Sequence, residues 1–419
     1  MRTAAITGLG FITSIGNDRA AVLRSLREQR HGLEAVEFLG NAALPVRVAG
    51  TVKEFVTESP SWRDWRYPAR YELARDALRG LSPHGLYAMC AVEQALADAR
   101  LAAPDLQDGE TGLYCASAGS AFLLHHHLAQ MHAVRGERGN PLGVVSSIAG
   151  TLNFNLAAHY RIRGAVGGFA AACASSSHAL GCAVDDIRLG RQQRMLVVGA
   201  EEVNAESVLP FAAMRALSVQ TDPALASRPF DRARDGFVAS GGAVCLILED
   251  LELARARGAA VYARVLGWGQ AADGYNVAMP DPTGAGLAAA MRRALGDARV
   301  PFSAIDYVNA HATSTPTGDR AEAAAVRRLC SEAGASPPIS STKGLTGHPL
   351  SMSGVMEAAF CALAMAEGFI PGNAHLSEPD PACAGLNLPR ATLAGRPSLI
   401  LKNSSGFGGS NVCHIFGLS

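Results

Sequence analysis

Short apolar strands alternate with alanine-rich stretches of helical period along the whole chain, and this alternation restricts the fold more than any other feature. Strand candidates are TAAITGLG from Thr3, TGLYCASAG from Thr111, RMLVVGAEE from Arg194, GGAVCLILED from Gly241, VYARVLGWG from Val261, IDYVNAHAT from Ile305 and SLILKNSSG from Ser398. Between them, LYAMCAVEQALADARL from Leu86 places Met89, Val92 and Leu96 on one helical face. Strands that read as near-continuous apolar runs are covered on both faces, so the pattern predicts an α/β protein with helices packed over buried sheets. At 419 residues the chain exceeds one ordinary domain. Charged residues make up 18% and hydrophobic residues 48%, which favours a large core and a buried subunit interface. LEDLELARARGA from Leu248 reads as a charged helix joining two halves, each starting on a small-residue strand, and so suggests a duplication.

The formal net charge is zero and the pI about 7.2. No overall basic field is therefore available to hold nucleic acid or an anionic membrane, and an acidic partner needs a local patch. The opening MRTAAITGLGF lacks the charged start and apolar region of a signal peptide. No apolar run approaches the length needed to span a bilayer, the best being SGGAVCLIL from Ser240, which stops at Glu249. A cytoplasmic location is expected. Nine cysteines, an odd number with no C-x-x-C pair, argue against a disulfide framework and a zinc site.

Three segments carry reactive side chains among small residues: AACASSSHALG from Ala171, NAHATSTPTGD from Asn309 and STKGLTGHPLSMSG from Ser341. Cys173 precedes a stretch whose Leu180, Ala183, Val184 and Ile187 have helical spacing, with Gly190 as its expected C-terminal cap. Cys173 is thus placed at a strand-to-helix turn, where free N–H groups and the helix dipole favour thiolate. The alternative is a buried structural cysteine. His311 is followed by the alternating hydroxyls of Thr313 and Thr315, and His348 lies between a glycine loop and an apolar helix. Either alone reads equally as hydrogen-bonded structure; together with Cys173 they read as a nucleophile with two histidines.

At these residues the chain resembles the β-ketoacyl-acyl carrier protein synthases, decarboxylating condensing enzymes of the thiolase superfamily, and among them the type I and type II elongating synthases. The likeness also takes in the opening TGLG strand, Arg75 to Ala95, DRARDGFVASGG from Asp231 and GFGGSN from Gly406. It implies a thiolase-like duplicated five-layer α-β-α-β-α fold, with residues 1–252 carrying the nucleophile and residues 253–419 carrying both histidines and a gating loop. It also implies a homodimer, or a heterodimer with a ketosynthase-like paralogue. By this resemblance Cys173 takes an acyl group from acyl carrier protein, and the N–H groups of Cys173 and Phe407 form the oxyanion hole. His311 and His348 hold the malonyl thioester, while Lys343 organises the site through Glu357 or Glu322. Thr313 and Thr315 bind the phosphopantetheine arm, and Arg75, Arg79, Arg135 and Arg138 match the carrier-protein docking surface. No metal or redox cofactor is implied.

Two positions depart from the family pattern: Ala312 stands for the usual glycine, and Ser405 for the first phenylalanine of the gate, with Phe407 retained. Loss of a phenyl group predicts a looser or differently packed gate, so a specialised polyketide or aryl polyene product stands beside fatty acid synthesis. A noncatalytic chain-length-factor subunit of a ketosynthase heterodimer is the alternative from another class; a thiolase lacks support, since no second cysteine motif follows. His125, His126, His127 and His132 point in different directions around a helix and do not make a metal set. GFGGSN lacks the lysine and hydroxyl of a phosphate loop.

Overall fold

The computed structural model describes residues 2–40 and 45–418. Ten strands form the main sheet: β1 (Ala4–Thr13), β2 (Thr111–Ala116), β3 (Val166–Phe169), β4 (Arg194–Glu201), β5 (Gly242–Asp250), β6 (Ala263–Ala272), β7 (Tyr307–Asn309), β8 (Ile339–Ser340), β9 (Leu399–Gly406) and β10 (Ser410–Gly417). Their spatial order is β8-β7-β9-β10-β6-β1-β5-β4-β2-β3. The order is a repeat. In each half the first strand pairs antiparallel with the last, the last antiparallel with the fourth, and the fourth parallel with the second, which is parallel to the third. Within the main sheet the strands of the two halves pair where Ala4–Ile6 of β1 meets Ala263–Val265 of β6.

Six helices cover these strands: α1 (Pro83–Ala99), α2 (Thr151–Tyr160), α3 (Ser175–Arg188), α4 (Ala285–Ala298), α5 (Pro316–Ala333) and α6 (Ser353–Glu367). Strand alternation assigns each its layer, because successive side chains point to opposite faces. On β5, Val244, Leu246 and Leu248 pack with α3 and α6, whereas Ala243, Cys245 and Ile247 pack with α1 and α2. On the C-terminal half, Phe416 of β10 joins the α3–α6 core, whereas Cys413 and Ile415 face α4 and α5. Three cores therefore separate five layers, with α3 and α6 in the middle.

Both expected helices around the reactive segments form. Gly190 caps α3 in the left-handed region (φ +72°), its N–H bonding Ile187 O, as its position predicts. The charged joining helix is short, Leu251–Ala256. Sequence reading named no strand at β3, β8 or β10, although it placed Cys173 after a strand; β3 is half glycine and β8 only two residues long, whereas β10 carries the strand formers Val412, Ile415 and Phe416. It also missed that Leu350–Glu367 has the length and mean hydropathy (1.3) of a membrane-crossing helix. That stretch is 83% buried inside the fold, because it lies between two sheet layers and is apolar on every side.

The central helices touch through small residues. A side-chain carbon at Gly354 of α6 would lie 2.3 Å from Ser177 Oγ and 2.5 Å from Ser177 N on α3. Gly354→Ala is expected to destabilise the protein by about 1–3 kcal/mol through overpacking, seen as a lower urea midpoint with an unchanged slope.

Candidate active site

The reactive residues stand at the C-terminal ends of parallel strands, one set from each half, as is usual for α/β sites. Cys173 follows β3 and opens α3; His311 follows β7; Lys343 follows β8, and His348 precedes α6. By the internal repeat, Cys173 and His348 occupy equivalent places, each between the third strand of its half and the central helix. Their backbone is strained at a neighbouring residue: Ala172 (φ +47°), Ser314 (φ +72°) and Leu350 (φ +45°) are left-handed without being glycine. Such conformations persist where surrounding contacts over-determine them, commonly at functional sites.

Cys173 Sγ lies 3.0 Å from His348 Nε2, and His348 Nδ1 lies 3.0 Å from Ser353 Oγ. The His311 and His348 rings meet edge to face with centroids 5.3 Å apart. His348 is fixed by its backbone, whose N–H donates to Val238 O and whose carbonyl accepts from Ser240 N–H. The His311 N–H donates to Glu322 Oε1 at 2.8 Å, and Asn403 Nδ2 donates to the same oxygen at 2.7 Å. Lys343 is fully buried and paired with Glu357. Of the two partners that sequence reading left open for Lys343, the structure places Glu357 against the ammonium and Glu322 against His311.

Burial opposes the expected preference of the helix start for thiolate. Burial pushes the Cys173 thiol up to about 12, with the positive charge of Lys343 opposing the rise and the negative charge of Glu201 adding to it. His311 is held well below the ordinary histidine value by burial, then by Lys343 and His348. His348 is lowered by burial and by Lys343. Burial thus favours the neutral thiol at Cys173 and neutral imidazoles at His311 and His348. Glu322 is raised to about 7, by burial before all else.

A cavity of about 390 Å³ connects these groups to the surface. Cys173, His311 and His348 line it together with Phe211, Met279 and Phe407. Thr313 and Thr315 also face it, their hydroxyls 3.0 Å apart. Gly406 lets the gate lie flat on the nucleophile turn, since a side-chain carbon there would meet Ala171 O at 2.8 Å and Cys173 N at 3.1 Å. The Phe407 ring rests 6.2 Å from that of Phe211 and is 38% exposed. At the missing phenylalanine the packing is polar: Ser405 Oγ donates to Asn411 Oδ1, and Asn411 Nδ2 donates to Asp273 Oδ1, both at 2.7 Å. Gly408 N–H donates to Val277 O, and Asp273 N–H to Gly409 O. These hydrogen bonds hold the loop at Ser405.

The arginines expected to dock a carrier protein are all exposed and lie outside this cavity lining. Arg79 approaches Asp76 at 4.0 Å. Among the described residues no group of three or more histidine, cysteine or acidic side chains is placed to hold a metal ion; His125 stands 3.7 Å from Glu206. Sequence reading also missed Asp319, whose carboxylate accepts from Ser314 N–H and Phe230 N–H and pairs with buried Arg234, fixing the loop that carries His311. A lone aspartate in a helix start gives no signal of this.

A five-layer α/β fold with a cysteine–histidine pair at the seam of two repeated halves defines a thiolase-like condensing enzyme. Two family models match: "Beta-ketoacyl synthase, N-terminal domain" over residues 1–254 and "Beta-ketoacyl synthase, C-terminal domain" over residues 262–377. The chain is 37% identical over 418 residues to 3-oxoacyl-[acyl-carrier-protein] synthase 1 of Escherichia coli K12, covering 98% of each. Among solved structures, a β-ketoacyl synthase from Burkholderia phymatum superposes with a TM-score of 0.91 at 33% identity, covering 100% of both chains. The ishigamide ketosynthase/chain length factor follows at 0.88 and 29%, covering 100% of this chain and 99% of the other. The chain belongs to the β-ketoacyl synthase family and is an acyltransferase of the condensing type.

With the thiol held up by burial, alkylation of Cys173 by iodoacetamide is expected to rise about tenfold per pH unit between roughly pH 7 and pH 9, as the thiolate fraction does below its pKa. A rate already level at neutral pH is the opposite result, measured by peptide mass spectrometry.

Proposed function

We propose that the chain catalyses decarboxylative Claisen condensation of an acyl thioester with malonyl-acyl carrier protein, in fatty acid or type II polyketide synthesis. The Cys173–His348 contact carries this reading. In the first half-reaction Cys173 attacks the acyl thioester, its proton passes to His348 Nε2, and the departing pantetheine thiolate takes that proton. The N–H groups of Cys173 and Phe407 receive the tetrahedral oxyanion. In the second, malonyl thioester loses carbon dioxide while N–H groups of His311 and His348 bind its oxygen, so charge develops on an enolate. The enolate carbon attacks acyl-Cys173 and expels the thiolate. His348 Nε2 must accept a proton in one half and present an N–H in the other. Ser353, as a hydroxyl, both donates and accepts, and so serves either tautomer of His348.

Thr313 and Thr315 bind the phosphopantetheine arm in this reading, and substrates arrive on it without a further cofactor. Residues 1–252 and 253–419 act as two thiolase-like halves that complete one site; Met1 and Ser419 lie outside the described residues. Assembly is as a dimer, with itself or a paralogue, in the cytoplasm. Supporting this, β3 is a sheet edge with Val166 exposed, and Val144, Ile148 and Phe154, on and around the helices packed next to it, are exposed as well. A chain-length factor would not need the nucleophile that is retained here.

Cys173→Ala is expected to abolish condensation and leave malonyl decarboxylation, whereas His348→Ala impairs both, as measured by product formation and carbon dioxide release. Near-normal condensation by Cys173→Ala would overturn the nucleophile. The exposed arginines steer an acidic carrier protein. The double variant Arg79→Glu, Arg138→Glu is therefore expected to raise KM for carrier-bound substrates about tenfold or more and to leave small thioester mimics nearly unaffected; equal losses on both would place docking elsewhere.

A further inference from the structure

Beneath the two histidines lies a buried cluster whose second cation has no part in the scheme above. Lys343 and Glu357 form a fully buried ion pair. Lys402 on β9 is also fully buried and stands 3.7 Å from the other Glu357 oxygen, which receives no hydrogen bond. Its ammonium donates to Ser177 Oγ at 2.7 Å and Ser404 Oγ at 2.6 Å. Two lysines thus share one carboxylate. The other titratable groups around Lys402 give no clear compensating anion: burial holds the thiols of Cys361 on α6 and Cys413 on β10 well up, and His414 on β10 well down. Glu322 on α5 is engaged by His311 N–H and Asn403.

This is a poor way to stabilise a fold. The Lys343–Glu357 pair is complete without Lys402, and replacing an excess buried charge by an apolar side chain of similar volume is often neutral or stabilising. It is a good way to stabilise negative charge that develops during a reaction, since a fixed cation in a water-poor site needs no reorganisation. Lys402 also reaches both segments beside the cysteine: Ser177 lies on the helix that Cys173 opens, and Ser404 on the strand that leads to Phe407.

We propose that Lys402 is a positioning residue for decarboxylation: by sharing Glu357 with Lys343 it leaves a net positive field beneath the histidines, which favours the enolate. The inference rests on the histidine roles assigned above. The charges of Lys343 and Lys402 both push His311 down. Burial lowers Lys402 itself to about 8, with Glu357 opposing, so its charge is present at neutral pH and lost above that value.

The test compares wild type, Lys402→Met, Lys402→Gln and His311→Ala, using malonyl-acyl carrier protein and carbon dioxide release between about pH 6 and pH 9. Methionine removes charge and hydrogen bonds; glutamine keeps a donor for Ser177 and Ser404. Both Lys402 variants are expected to unfold at no lower urea concentration than wild type. At pH 7 both should decarboxylate about tenfold more slowly, a larger loss than in Cys173 acylation. Wild-type activity should fall through pH 8 toward theirs, which stays level there. A slow methionine variant beside a normal glutamine variant would make Lys402 a hydrogen-bond anchor and overturn the proposal. So would wild-type profiles in both, or failure of both to fold. Wild-type decarboxylation by His311→Ala would instead overturn the histidine assignment, whatever Lys402 does.

Discussion

The structure depends on the close crossing of α3 and α6 between two sheet layers. Glycine at 354 and serines at 176 and 177 let the helix starts meet, and Ser176 Oγ accepts the Val355 N–H at 3.0 Å. Each helix begins just beyond a reactive residue of its own half. Because the helices start together, Cys173 and His348, 175 positions apart, come within hydrogen-bond distance. The outer helices α1, α2, α4 and α5 complete separate cores and leave this seam intact.

Burial at the seam sets the chemistry as well as the packing. Removing water makes charge expensive, so the neutral thiol and imidazoles are favoured and the carboxylate of Glu322 is raised. The charges that remain are paired within the protein or held by hydroxyls. Neutral groups that must exchange a proton need correct distance and tautomer more than a stabilised ion. His348 meets this need with a partner on each ring nitrogen. Left-handed backbone at Ala172, Ser314 and Leu350 is part of the same arrangement, since it sits beside each reactive segment.

The loop that carries Ser405 and Phe407 is held by polar contacts. Truncating an aromatic ring in a core ordinarily costs about 3 kcal/mol or more when the space stays empty. Here Ser405 joins a chain through Asn411 to Asp273, so the loop is held by directional bonds. The cavity wall beside it is consequently polar, a feature the apolar gate pattern did not suggest.

The α/β class, the internal duplication and the motifs whose Cys173, His311, His348 and Lys343 the structure brings together were legible in the sequence. Strand alternation and helical spacing are local, and the reactive residues stand in compact motifs. Short strands such as β3 and β8 were not legible, because their pairing comes from neighbours and not from their own residues. Nor was the membrane-like hydropathy of Leu350–Glu367, which acquires its meaning only from being enclosed. Tertiary structure alone decided which carboxylate faces Lys343, that burial favours the thiol form of Cys173, and that Lys402 shares Glu357. Those outcomes depend on distances between segments far apart in the chain and on exclusion of water, and no local pattern of residues encodes either.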